Sequence, residues 1–165
     1  MAVRELLLLG NPQLYEVSTP WEKSELECIN TVIQDLHDTL MDFRKKHGVG
    51  RAIAAPQIGI MKRLIYMYIE RPVVFINPVL KTKGDETFEV WDDCMCFPNL
   101  LVKVKRYKNS SIRYKDNDWN ESTMMLEGSL SELLQHEYDH LDGIIATLRA
   151  VDKFSFALKT QVKYL

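Results

Sequence analysis

Three features of this chain predict an α+β fold, with antiparallel or mixed β-sheets packed around a central helix. Two segments, one early and one late, carry apolar residues at helical spacing. Between them lie runs rich in β-branched and aromatic residues, bounded by turn-forming residues. The late helical segment also carries a polar stretch, QHEYDH at 135–140, inside a leucine-rich pattern.

Residues 3–8 are expected to form a short apolar strand or turn on the body, ahead of the turn-prone GNPQ. From Ser24 to about Lys46, Ile29, Val32, Ile33, Leu36, Leu40 and Phe43 recur at helical spacing. Ser24 with Glu27 reads as a capping box, and Gly48 after RKKH reads as a helix stop. The stretches 63–69, 73–80, 86–91, 100–107, 110–114 and 122–128 read as strands, with KDNDWN a polar turn before the last. Helical spacing returns from Leu130 to Leu141 through Leu130, Leu133, Leu134 and Leu141. The tail suggests a strand and a short terminal element. A length of 165 residues without repeats or low-complexity segments fits a single domain over 1–165.

Composition narrows the function classes. A formal net charge of -2 gives no broad basic field for a nucleic-acid backbone, so no direct nucleic-acid binding is expected. KVKRYK at 103–108 reads as the charged face of a strand. No apolar run is long enough to span a bilayer, and no secretory signal pattern opens the chain, so a cytoplasmic protein without membrane association is expected. Cys28, Cys94 and Cys96 do not make a disulfide framework, which favours a reducing compartment.

QHEYDH contains His-Glu-x-x-His. On a helix, positions i and i+4 share a face, so His136 and His140 can point into one space with Glu137 beside them. The plain alternative is a hydrogen-bonded pair of partly buried histidines; His37 and His47 have only such structural readings. A metal commonly takes three protein ligands and keeps one position open. Cys94, Cys96 or an acidic residue can supply the third. A thiolate with two imidazoles suits Fe(II), Co(II), Ni(II) or Zn(II) and suits Ca(II) or Mg(II) poorly. The sequence pattern alone does not name which of the two cysteines it is.

Three motifs in order carry a resemblance to the peptide deformylases. Gln135-His136-Glu137-Tyr138-Asp139-His140, continuing into Leu141-Asp142-Gly143, is the family's third motif intact. GRAIAAPQIG, from Gly50 to Gly59, resembles the first motif, Gly-x-Gly-Leu-Ala-Ala-x-Gln, with Ala52 in place of its second glycine. Asp92-Asp93-Cys94-Met95-Cys96 stands where the second motif reads Glu-Gly-Cys-Leu-Ser. VRELLLLGNPQLYEVSTP also resembles the family's N-terminal opening.

The resemblance implies a peptide-deformylase-like fold and removal of an N-formyl group, above all from N-terminal formyl-methionine of peptides. It implies Cys94, His136 and His140 as ligands to one divalent transition metal, with Fe(II) favoured. Glu137 becomes the general acid/base, and Gln57 with the Met95 backbone N–H faces the developing oxyanion. Cys96 falls on the family's serine and is expected to pack beside the site. A transient ribosome contact is implied in the same way. Arg51, Ala52, Ile53 and Asp93 are substrate-groove candidates. Ala52 and Asp93 replace glycines, and an Arg51–Asp93 salt bridge across the groove is one expectation. A groove filled in this way leaves two further readings: an amidohydrolase for a smaller N-formyl compound, or a catalytically weak metal-containing binding protein.

Overall fold

The computed structural model describes residues 2–165. Two helices, α1 (Leu26–His47) and α2 (Ser129–Leu141), accompany a six-stranded sheet. Its strands are β1 (Ala52–Ala54), β2 (Leu64–Tyr68), β3 (Pro72–Asp92), β4 (Leu100–Lys115), β5 (Glu121–Glu127) and β6 (Phe156–Leu158). They run in the order β1-β2-β3-β4-β5, each antiparallel to its neighbour, with β6 paired to the start of β4. The α+β class predicted from the sequence holds.

Strand alternation divides the core between the two helices. Ile53, Leu64 and Ile76 pack with Ile29, Leu36 and Leu40 of α1. Ala54, Ile65, Phe75 and Ile112 pack with Leu134 and Leu141 of α2. Removing such side chains from water is the main stabilising term, about 1.5–3 kcal/mol for each large aliphatic. Helix α2 is covered on most sides, and ten of its residues are buried, His136, Glu137 and His140 among them. No described helix is long and apolar enough to cross a membrane.

The element boundaries depart from expectation in four places. Helix α1 starts after Ser24, which sits in a short 3-10 turn; the reciprocal cap is made by Glu22 and Glu25, the Glu22 N–H donating to the Glu25 carboxylate at 2.7 Å. Lys62 reaches Glu25 from another segment at 3.1 Å and holds that turn in place. Runs 73–80 and 86–91 form one long strand, β3, because the positive-φ Gly84 (φ 68°) lies at a register shift between Lys83 and Thr87. Runs 100–107 and 110–114 likewise join in β4, where Ser110 is buried and bonded to Ser131 Oγ at 2.7 Å instead of forming a turn. Residues 3–8 form no strand. Leu7 N–H donates to the Gln57 carbonyl and Leu9 N–H to the Cys96 carbonyl, each at 2.8 Å, so this segment braces two loops of the site.

Gly143 shows why the helix motif continues as Leu-Asp-Gly. Its φ is +69°, and a Cβ there would lie 2.4 Å from the Tyr15 carbonyl oxygen. The left-handed backbone and the close approach both require glycine.

Candidate active site

The site forms where strand ends meet helix α2. β3 ends at Asp92, the chain turns through residues 93–99, and β4 begins at Leu100. The turn closes through Phe97 N–H to the Cys94 carbonyl at 3.1 Å. Cys94 and Cys96 therefore sit in this turn and not in a strand. Gln57 Nε2 lies 3.6 Å from Cys94 Sγ and 3.5 Å from Cys96 Sγ, so both thiols face one amide.

On α2, the spacing of four brings His136 Nε2 within 3.2 Å of His140 Nε2. Cys94 Sγ lies 3.4 Å from His140 Nε2. The donor atoms of Cys94, His136 and His140 all fall within 4.8 Å of one another, and all three residues are buried. Asp92 Oδ2 bonds His136 Nδ1 at 2.8 Å, which turns Nε2 toward the cluster. Arg106, also buried, links Asp92 Oδ2 at 3.2 Å to Asp139 Oδ2 at 2.6 Å, and Arg149 grips Asp139 from outside at 2.8 Å. Asp142 bonds Arg63 at 2.7 Å.

Burial and neighbouring charges set the proton affinity of each of these groups. Burial pushes the Cys94 thiol well above its ordinary pKa. Burial drives His140 well below its usual value, and His136 adds to the effect. For His136 burial opposes the proton, but the adjacent Asp92 carboxylate outweighs it and lifts the pKa to about 9. Burial raises Glu137 to about 7, and its Oε2, like His140 Nδ1, is buried without a hydrogen-bond partner among the described residues. Two imidazole nitrogens and a sulfur converge in a buried space beside an unpartnered carboxylate oxygen. A soft divalent cation fits that donor set: it would stabilise the thiolate and take the imidazoles in neutral form.

A cleft of about 490 Å³ opens onto this cluster, lined in part by Gln57, Met95, His136 and Glu137. Gln57 Oε1 accepts the Ala54 N–H at 2.8 Å, which orients its Nε2 toward the sulfurs. Arg51, Ala52 and Asp93 line the cleft, as expected of groove residues. Ile53 does not: strand alternation turns its side chain into the α1 core, where it is fully buried. The expected Arg51–Asp93 salt bridge is also absent. Arg51 pairs with Glu132 at 3.3 Å, and Asp93 pairs with Lys159 at 3.2 Å. Both partners are nearer than any route across the cleft, because α2 and the C-terminal segment each deliver a counter-charge to their own wall.

Comparison with known proteins decides the family. The polypeptide deformylase family model matches residues 3–154. The chain belongs to the polypeptide deformylase family. Peptide deformylase 1 of Prochlorococcus marinus is 37% identical over 175 residues, covering 99% of this chain and 88% of that protein. The peptide deformylase of Synechococcus elongatus, solved in complex with actinonin, has a TM-score of 0.84 at 25% identity, covering 92% of this chain and 81% of that one. That of Thermotoga maritima has a TM-score of 0.83 at 28% identity, covering 92% and 100%. The deformylase fold is thus this chain's fold, and membership makes it a metal-dependent hydrolase that removes N-formyl groups.

Reading the sequence alone missed Arg106, Glu132 and Lys159 as residues of the site region. For Arg106 a signal existed, since Val102, Val104 and Arg106 share parity in a strand and therefore share its inward face. KVKRYK is accordingly not wholly a solvated face. Glu132 lies one helical turn before His136, also a legible spacing. Lys159 carried no signal.

Proposed function

We propose that this deformylase acts on N-terminal formyl-methionine of peptides through Cys94, His136, His140, Glu137, Gln57 and Met95. The observation that carries the assignment is the convergence of one thiol and two imidazoles within 4.8 Å beside a buried, unpartnered Glu137 oxygen. Cys94, His136 and His140 would hold the divalent ion, Fe(II) by resemblance, with Zn(II), Ni(II) and Co(II) suited to the same donors. When bound, such an ion supplies Lewis acidity and makes water acidic enough to ionise near neutral pH.

The chain's own residues account for the rest. Glu137, adjacent to a ligand yet free of any hydrogen bond at Oε2, accepts the proton of the attacking water and returns it to the leaving nitrogen. A carboxyl raised to about 7 by burial is poised for both transfers. Gln57 Nε2, held by the Ala54 bond, and the Met95 N–H donate to the formyl oxygen as charge develops there. Asp92, braced by Arg106, keeps His136 in one orientation. Formate and a free amine result.

A substrate found on nascent chains supports action in the cytoplasm with transient ribosome contact, and a fold organised around one site supports a single domain over 1–165. Release of formate from formyl-Met-Ala-Ser tests the assignment. Wild type should release it and Glu137→Gln, with metal retained, should not. A Glu137→Gln rate within a few-fold of wild type removes Glu137 from the proton-transfer role.

A further inference from the structure

Lys159 reaches the cleft from a part of the chain that the family match does not include, since that match ends at residue 154. Its position is fixed on both sides. β6 immediately before it is bonded to β4, and the Lys159 N–H donates to the Asn99 carbonyl at 3.0 Å. The side chain then lines the cleft beside Asp93, next to the proposed ligand Cys94.

The charges that solvent can reach in this cleft are unbalanced. Asp92, Glu132 and Glu137 line it but are buried, leaving Asp93 as the exposed acid. Three cations line the same space. Lys159 holds Asp93 by a single 3.2 Å contact, so most of its ammonium hydrogens remain available. Arg51 is 44% exposed while its partner Glu132 is 8% exposed, so the solvent-facing end of that pair is positive. Arg44 bonds the Gly50 and Tyr68 carbonyls and no carboxylate. The accessible surplus is positive, and it lines the same cleft as Cys94 and Glu137.

We propose that Lys159 is a specificity-determining residue that receives a substrate carboxylate, with Arg51 on the α2 side of the cleft adding to the field. The inference rests on the deformylase reading of the site. The carboxylate has two sources, the C-terminus of a short N-formyl peptide or an acidic side chain soon after formyl-methionine. Asp93, where the family carries glycine, narrows the groove and holds the ammonium ready. An incoming carboxylate takes the free ammonium hydrogens, while a long neutral chain must displace the Asp93–Lys159 pair without replacing its charge.

Metal-loaded enzyme assayed on matched peptides tests this. Formyl-Met-Ala as free acid against its amide reads the C-terminal source. Formyl-Met-Asp-Ala amide against formyl-Met-Asn-Ala amide reads the side-chain source. Wild type should favour the carboxylate member of at least one pair by roughly fivefold or more in kcat/KM, mainly through KM, the size fit for a partly exposed charge pair. Lys159→Met should bring the ratio close to one, Lys159→Arg should keep it, and Lys163→Met on the same segment should leave it as in wild type. No preference in either pair, or a preference that survives in Lys159→Met, overturns the proposal. So does selective use of formyl-Met-Lys-Ala amide, which would make Asp93 the recognising group. Should wild type cleave none of these peptides, the deformylase reading fails separately. Calorimetric binding of the acid and amide forms to wild type and Lys159→Met then still decides the carboxylate subsite.

Discussion

Replacing Arg106 with Met removes a buried guanidinium while keeping much of its volume. Arg106 bridges Asp92 and Asp139, and its side chain is 4% exposed. Breaking one partner out of a buried ion network costs about 3–5 kcal/mol, because the carboxylates left behind lose compensation. Here each retains another partner, His136 for Asp92 and Arg149 for Asp139, so the lower end applies. For a chain of this size roughly 3 kcal/mol corresponds to a fall in Tm of about 6–12 °C. Asp92 also orients His136, so metal affinity should drop about 10- to 100-fold. Thermal denaturation of the chelated and metal-loaded protein separates the two effects, and competition with a chromogenic chelator gives the affinity. Adding Asp139→Asn to Arg106→Met should recover part of the lost stability, since two carboxylates then no longer compete for the counter-charge that remains. A loss below about 1 kcal/mol with unchanged metal affinity would refute the view that Arg106 holds the ligand assembly together.

Elemental analysis of Cys94→Ser and His136→Ala should show clear metal loss, and full occupancy in both would remove the proposed ligand set. Gln57→Ala should lower kcat by about 10²–10³ with a smaller change in KM, since its donor acts as charge reaches the formyl oxygen. An unchanged kcat with weaker binding would make Gln57 a ground-state contact. Gly143→Ala should destabilise the fold by about 2 kcal/mol or more in denaturant titration, because a Cβ would meet the Tyr15 carbonyl at 2.4 Å in a left-handed backbone. Stability equal to wild type there would mean that the Tyr15 segment yields freely.

By itself the sequence determined what periodicity and short spacing can carry. His136 and His140 are four apart on a leucine-bearing helix, and the structure brings their Nε2 atoms to 3.2 Å. The α+β class was legible because helical and alternating patterns occupy separate stretches of chain. Even the inward turn of Arg106 was written in strand parity, through Val102 and Val104. What only the tertiary structure decided are the partnerships between distant segments. Arg51 finds Glu132 across 81 positions and Asp93 finds Lys159 across 66, in place of each other. Cys94 and Cys96 face one amide because the turn after β3 brings both thiols to Gln57, a residue 37 and 39 positions away in the chain. Long charged side chains settle on whichever counter-charge packing brings within reach, and that depends on how the helix and the C-terminal segment dock against the sheet, which no local pattern encodes.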